Sequence, residues 1–228
     1  TLNLIPKKFR LKSIPSLAIG IKLLENNSSF PEKKHEDLKI IYAGRLLNWK
    51  GVHFAISAYE QVYKIYNNST FSVLGKGSYK QNLLNHAKNL SVEDKIKWLD
   101  WVPHDKMTEF YKSHNVFLFP SLHDSGGMVV LEALAQGLPV ICLDLGGPGQ
   151  IVDETCGRVI LTKNKSEDNI VEDIYNALVE LKQNPALLSQ LSEGAIKRAT
   201  EFTWDRTVAK VYSSIELFME KNNLDERK

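Results

Sequence analysis

From Leu38 onward, short apolar runs alternate with longer stretches in which hydrophobic residues recur every three to four positions. Lys39 to Ala43 is the first such run, closed by Gly44. The segment after it sets Val52, Ala55, Ile56, Tyr59, Val62, Tyr63 and Tyr66 at helical spacing. Further strands are predicted at 71–74, 96–99, 116–119, 140–143 and 158–161, with helices near 79–90, 106–113, 128–136 and 168–183. Apolar strands joined by amphipathic helices are covered on both faces, so the pattern predicts an α/β, Rossmann-like, doubly wound parallel sheet.

The two ends read differently. Residues 1–37 carry Pro6, Pro15, Pro31 and the polar cluster from Asn26 to Ser29, which predicts a strand fragment and a hinge linker rather than regular structure. Residues 38–203 hold the alternating pattern, and 204–228 read as a final helix and charged tail, broken from the helix after Pro185 near Thr203. Lys7, Lys8 and Arg10 before the apolar stretch 14–24 faintly suggest a secretion signal, but Pro15 and Lys22 interrupt it and no small-residue cleavage site follows. The start is therefore read as the remnant of a preceding domain.

Composition narrows the function. At 228 residues the chain holds one large domain, or one with a remnant. Lys and Arg number 29 against 27 Asp and Glu, and a net charge of +2 argues against a phosphate-tracking nucleic-acid surface. A hydrophobic fraction of 43% with 25% charged residues is that of a compact globular protein. Cys142 and Cys156 fit neither a disulfide scaffold nor a zinc site, so a reducing cytoplasm is the expected compartment and no metal is expected. No apolar run approaches the ~18 residues of a membrane span.

In doubly wound sheets ligands sit at the carboxyl ends of the strands, where helix N-termini offer free N–H groups to anions. Four segments fall there. Gly44-Arg45 to Lys50-Gly51 follows the first strand; its two cations suit a diphosphate, or else are solvated loop cations. Gly75-Lys76-Gly77 follows the second strand and lacks the third glycine of a dinucleotide fingerprint, leaving a plain turn or a close backbone approach by a base or ribose. Trp98-Leu99-Asp100-Trp101-Val102 ends the third: Trp98 is expected to pack in the core and Trp101, of opposite parity, to be free to wall a pocket.

The fourth segment carries the most. From Met128 to Ala135 only Glu132 is polar, so this helix should be buried and its carboxylate needs a partner, such as Lys50 or Arg45, or a ligand. Gly126 and Gly127 permit close approach to the helix start, where the amides of Gly127, Met128, Val129 and Val130 are candidates to hold a phosphate. Asp124, in the preceding loop, is expected to face the same mouth. One cavity with a carboxylate at each end and anion-binding amides between them suits a nucleoside diphosphate sugar.

Taken in order, Gly44-Arg45, Lys50-Gly51, Gly75-x-Gly77, and Asp124-x7-Glu132 followed by Ala133-x-Ala135-x-Gly137-x-Pro139 closely resemble the C-terminal domain of retaining family 4 glycosyltransferases of the GT-B fold. The resemblance runs from about Ile40 to about Leu161, and Gly146-Gly147-Pro148 with Gln150-Ile151-Val152 looks like the family segment after the next strand. It implies that Arg45 and Lys50 contact the donor diphosphate, that Glu132 accepts from the ribose hydroxyls, and that Asp124 with the amides near Gly127 and Met128 holds the sugar. Backbone near Val102 would read the base. Where the family has Glu-Gly-Phe-Gly around its first acidic position, this chain has Asp124-Ser125-Gly126-Gly127, one methylene shorter and without the aromatic, which puts the donor sugar in question.

The implied reaction is transfer of a hexose, with UDP-glucose the first choice of donor, to a hydroxyl of a glycan or lipid-linked acceptor, with retained anomeric configuration. Arg45, Lys50 and Asp124 would be the residues at the reacting centre, the cations meeting leaving-group charge without a divalent ion. The acceptor would be bound by an N-terminal domain beyond this chain. Residues 1–37 would be the end of that domain, and the helix from Trp204 would cross back toward it. The expected setting is cytoplasmic polysaccharide or lipid-linked glycan assembly, with peripheral contact at the inner face of a membrane. Two alternatives stand beside this: an inactive nucleotide-sugar-binding module, and a doubly wound protein with another ligand such as NAD.

Overall fold

A computed structural model describes residues 19–22 and 37–225. The expectations for 1–18 and for 23–36, including the signal-like stretch, lie outside the described residues. Six parallel strands form the sheet: β1 (Lys39–Ala43), β2 (Thr70–Leu74), β3 (Ile96–Leu99), β4 (Val116–Phe119), β5 (Val140–Leu143) and β6 (Gly157–Ile160). Their order is β3-β2-β1-β4-β5-β6, so the winding reverses between β1 and β4, which pair through Ile40–Val116 and Ile41–Phe117. The doubly wound expectation and the positions of all six strands agree with this arrangement; β6 starts one residue earlier than predicted, because Gly157 pairs with Val140.

The crossovers are α1 (Val52–Ile65), α2 (Lys80–Asn89), α3 (His104–Lys112), α4 (Met128–Ala135) and the short α5 (Pro148–Ile151). Three helices follow β6: α6 (Glu167–Gln183), α7 (Pro185–Thr200) and α8 (Trp204–Asp225). Right-handed crossovers from β1 and from β4 run in opposite directions along the sheet and so place α1 and α4 on opposite faces. α6 packs on α1, and α7 packs on α4. Local chemistry starts the last helices: the Ser166 hydroxyl accepts the Asn169 amide at 3.2 Å, and the Asn184 side chain accepts the Leu187 amide at 3.0 Å ahead of Pro185.

β1, β2, β4 and β5 are buried almost throughout because helices cover both faces. Tyr42, Phe117 and Phe119 stack across the centre of the sheet, with ring centroids 5.8 Å apart in each neighbouring pair. Buried tyrosines keep their hydroxyls satisfied: Tyr42 donates to the Arg45 carbonyl at 3.0 Å, and Tyr59 lies within reach of the Ser69 and Lys95 carbonyls. At the start of α8, the Thr207 hydroxyl donates to the Ile19 carbonyl at 2.7 Å, and Ile21 bridges to Thr203.

Candidate functional site

The loops that leave β1, β2, β3 and β4 converge beside the reversal point. A cavity of about 440 Å³ opens there, lined by Gly44 and Arg45 after β1, Gly75 and Lys76 after β2, Asp100, Trp101 and Val102 after β3, Met107 and Tyr111 from α3, and Val129 and Glu132 from α4. Of the residues singled out from sequence, Gly44, Arg45, Gly75, Lys76, Trp101, Val102, Val129 and Glu132 thus meet at one opening. Trp101, 70% exposed, stands at the rim, whereas Trp98 packs partly buried against the core. Arg45 is exposed and has no ion-pair partner among the described residues.

Glycine at position 75 has a cause within the chain. With φ at +151°, a Cβ there would lie 1.8 Å from the Gly44 carbonyl oxygen, and one at Gly77 would lie 2.0 Å from that of Leu46. The first two strand-to-loop junctions are therefore laid directly on one another, tied by the Leu46 amide on the Lys76 carbonyl at 2.8 Å. Close packing of two loops accounts for this glycine pair without any ligand.

The loop after β4 differs from expectation in an informative way. The lining of the cavity includes neither Lys50 nor Asp124. Instead Lys50, only 7% exposed, sets its ammonium in an ion pair with Asp124 and 5.4 Å from the centre of the Phe119 ring. The other Asp124 oxygen accepts the Gly127 amide at 2.7 Å and the Gly126 amide at 3.1 Å. Burial alone would raise the Asp124 carboxyl, but Lys50 and these two amides outweigh it and hold the group below the usual carboxylate range.

This corrects two expectations. The amides of Gly126 and Gly127 are occupied by Asp124, and Val130 donates to the Gly127 carbonyl at 2.9 Å, leaving Met128 and Val129 with the open amides at the start of α4. A short acidic side chain followed by two glycines folds back on its own loop before it reaches outward. Lys50 is likewise satisfied by Asp124 rather than by Glu132. Gly127 adopts φ +70° and abuts Ile151 and Pro148, so its glycine is structural; Gly126 has only Ile19 near, at 3.5 Å.

Glu132 is half-buried on α4, and the Tyr111 hydroxyl donates to its Oε2 at 3.2 Å. Sequence reading passed over Tyr111 and Met107, and included Asp100 in the segment after β3 without giving it a role. Met107 and Tyr111 stand four residues apart on α3 and present one helical face, but that spacing signals packing and not a site. Asp100 at the rim pairs with Lys80 at 2.5 Å, and this ammonium holds its carboxyl below the usual range. Among the described residues there is no cluster of three or more His, Cys, Asp or Glu suited to a metal, and no helix is long and apolar enough to cross a membrane.

A parallel sheet in the order 3-2-1-4-5-6, with a cation-rimmed cavity at its winding reversal and an open helix N-terminus beside it, defines a Rossmann-like domain with a candidate ligand site. The model of the family described as glycosyl transferases group 1 matches residues 25–198, and the chain belongs to that family. An uncharacterized glycosyltransferase of Haemophilus influenzae is 29% identical over 188 residues, covering 82% of this chain and 50% of its own length. A D-inositol 3-phosphate glycosyltransferase of Streptomyces bingchenggensis is 32% identical over 137 residues, 59% of this chain and 29% of its own. The chain spans about half the length of the first of these.

Solved structures agree on the fold. The pneumococcal O-GlcNAc transferase GtfA, in complex with UDP and GlcNAc, superposes with a TM-score of 0.68 at 22% identity, covering 91% of this chain and 38% of that one. The C-terminal domain of the glycosyl transferase group 1 protein LpcC from Francisella tularensis superposes at 0.63 with 21% identity, covering 72% of this chain and 84% of that one. The fold is that of the Rossmann-like half of a GT-B glycosyltransferase.

Proposed function

We propose that this chain is the donor-binding half of a retaining glycosyltransferase that moves a hexose from a nucleoside diphosphate sugar, UDP-glucose being the first choice, to a hydroxyl of a glycan or lipid-linked acceptor. The observation that carries the reading is the joint presence of Arg45, Lys76 and Glu132 on one cavity at the winding reversal, with the open amides of α4 alongside. A base would stack against Trp101 beside the Val102 backbone, the ribose hydroxyls would meet Glu132, and the diphosphate would lie against Arg45 and the Met128 and Val129 amides.

In this reading the protein supplies no nucleophile. The nucleotide departs as the acceptor hydroxyl attacks from the same face, and the negative charge on the leaving diphosphate is met by fixed donors: Arg45, the amides of α4 and Lys50. Lys50 reaches a phosphate only by exchanging its Asp124 contact, so Asp124 sets the position of that cation. No divalent ion is assigned a part. The acceptor would be bound by an N-terminal domain, toward which α8 would cross; its exposed apolar side chains Trp204, Val208, Tyr212 and Ile215 support that placement.

Calorimetric titration of the chain with UDP, UDP-glucose, GDP, GDP-mannose, ADP and NAD, with and without magnesium, tests the donor assignment. Metal-independent binding of UDP and UDP-glucose is expected; a response to NAD alone overturns it. The anomeric outcome of transfer by the full-length enzyme, read by NMR of the product, tests retention. The Asp124 carboxylate lodged on the Gly126 and Gly127 amides favours one second reading, a module that binds donor without turnover. Donor hydrolysis or transfer by the full-length protein rules that out.

A further inference from the structure

Tyr111 is almost fully buried, at 2% exposure, yet its hydroxyl reaches the cavity wall and ends on Glu132. Its ring is fixed edge-on against Phe117, 5.9 Å between centroids at 71°, so β4 sets the direction of the hydroxyl. The carboxylate it meets stands at the end of three rotatable side-chain bonds, so its direction is set by the groups it contacts. The same three residues, Met107, Tyr111 and Glu132, also line a smaller cavity of about 230 Å³ beside Gln136. Glu132 thus has space on two sides and two directions in which to turn.

We infer that Tyr111 is a positioning residue, whose hydroxyl turns the Glu132 carboxylate toward the larger cavity so that it accepts from a vicinal diol there. This rests on the donor-binding reading above. A carboxylate offers two oxygens with several acceptor directions, and a donor fixed on Oε2 from the α3 side leaves the cavity-facing directions for hydroxyls on adjacent carbons. The hydroxyl is a dependable donor: burial first, then the charge of Glu132, pushes its ionisation above the ordinary tyrosine range. Tyr111 touches the carboxylate and not the reacting atoms, so it acts on ligand selection and not on bond breaking.

The test is the ratio of the dissociation constants for 2′-deoxy-UDP and UDP, measured calorimetrically on the chain and on Tyr111→Phe, Tyr111→His and Glu132→Gln. The native chain is expected to prefer UDP at least tenfold. Tyr111→Phe, which removes one oxygen and keeps the ring, should bring the ratio to within threefold of one with little change in affinity for the deoxynucleotide. Tyr111→His, which restores a ring N–H, should recover part of the preference. A native ratio in Tyr111→Phe overturns the inference; so, where Tyr111→Phe does not fold, does a Tyr111→His ratio no better than that of Glu132→Gln. A native chain that binds both nucleotides equally removes the diol from Glu132 and the inference with it, and a native chain that binds neither sinks the donor reading itself.

Discussion

The Lys50 ammonium and the Asp124 carboxylate, 74 residues apart in the chain, form a part-buried ion pair in which Asp124 also accepts the amides of Gly126 and Gly127. The contact joins the loop after β1 to the loop after β4 across the winding reversal. Asp124 thereby acts as an internal anion, satisfying at once a cation and two amides that an incoming phosphate would otherwise attract. Under the proposed function, ligand entry at this end of the site would exchange one anion for another.

Asp124→Asn leaves the Lys50 charge buried without a counter-ion. A destabilisation of about 1–3 kcal/mol is expected, below the range for breaking a fully buried pair because Asp124 is part-exposed and the amide oxygen can still accept from Gly126 and Gly127. The native contribution belongs to a carboxyl whose folded-state pKa lies below its unfolded value of ~3.9. It is present above that value and lost as pH falls through the folded pKa, so native stability should drop in acid more steeply than that of the variant. Urea melts of both proteins between neutral pH and pH 3 measure the difference; parallel curves would show that the pair carries no such linkage.

Arg45→Ala and Glu132→Ala should each weaken UDP binding at least tenfold, ~1.4 kcal/mol, with the melting temperature of Arg45→Ala close to native and that of Glu132→Ala lowered by the loss of the Tyr111 hydroxyl's acceptor. Arg45 is exposed and has no ion-pair partner among the described residues, so its loss leaves no buried group unsatisfied. Unchanged affinity in both variants would place the nucleotide elsewhere.

Gly75→Ala and Gly126→Ala separate packing from ligand approach. The first sets a Cβ 1.8 Å from the Gly44 carbonyl in a backbone conformation that favours glycine, and should cost about 1–3 kcal/mol. The second meets only Ile19, at ordinary contact distance, and should fall within about 0.5 kcal/mol of native. Chemical denaturation of the two variants side by side checks the ranking.

A pair of histidines away from the site makes a pH prediction. His86, on α2, shares a hydrogen bond of 2.8 Å with Ser57 of α1, and His53 on α1 has its Nδ1 buried without a hydrogen-bond partner among the described residues. Burial lowers both pKa values, offset at His53 by Glu167 and reinforced there by His86. Groups that prefer to be neutral when folded contribute stability above the unfolded value of ~6.5 and lose it as pH falls below. The melting temperature should therefore decline between pH 7 and pH 5, and His53→Gln/His86→Gln should flatten that slope.

Strand positions, the buried α4 and the break between α7 and α8 were all legible along the chain, because each follows from local periodicity and punctuation. Apolar runs of four or five residues bounded by Gly44, Gly75 and Pro120 dictate buried parallel strands wherever they end up in space. The same logic marked Gly44, Arg45, Gly75, Lys76, Trp101 and Val102 as strand-end residues and Glu132 as the polar position of the helix after β4, and a doubly wound sheet gathers strand ends and the helix starts beside them on one edge. What periodicity does not encode is which side chains face one another once gathered. That Lys50 takes Asp124 and leaves Glu132 to Tyr111, that Asp124 turns back onto its own loop, and that Gly75 is small because Gly44 lies against it, are relations between segments up to 74 residues apart. They depend on distances of a few ångströms between loops, which only the packing of β1, β2 and β4 with α3 and α4 decides, since hydrogen bonds and ion pairs form where donors and acceptors meet and not where the chain order lists them.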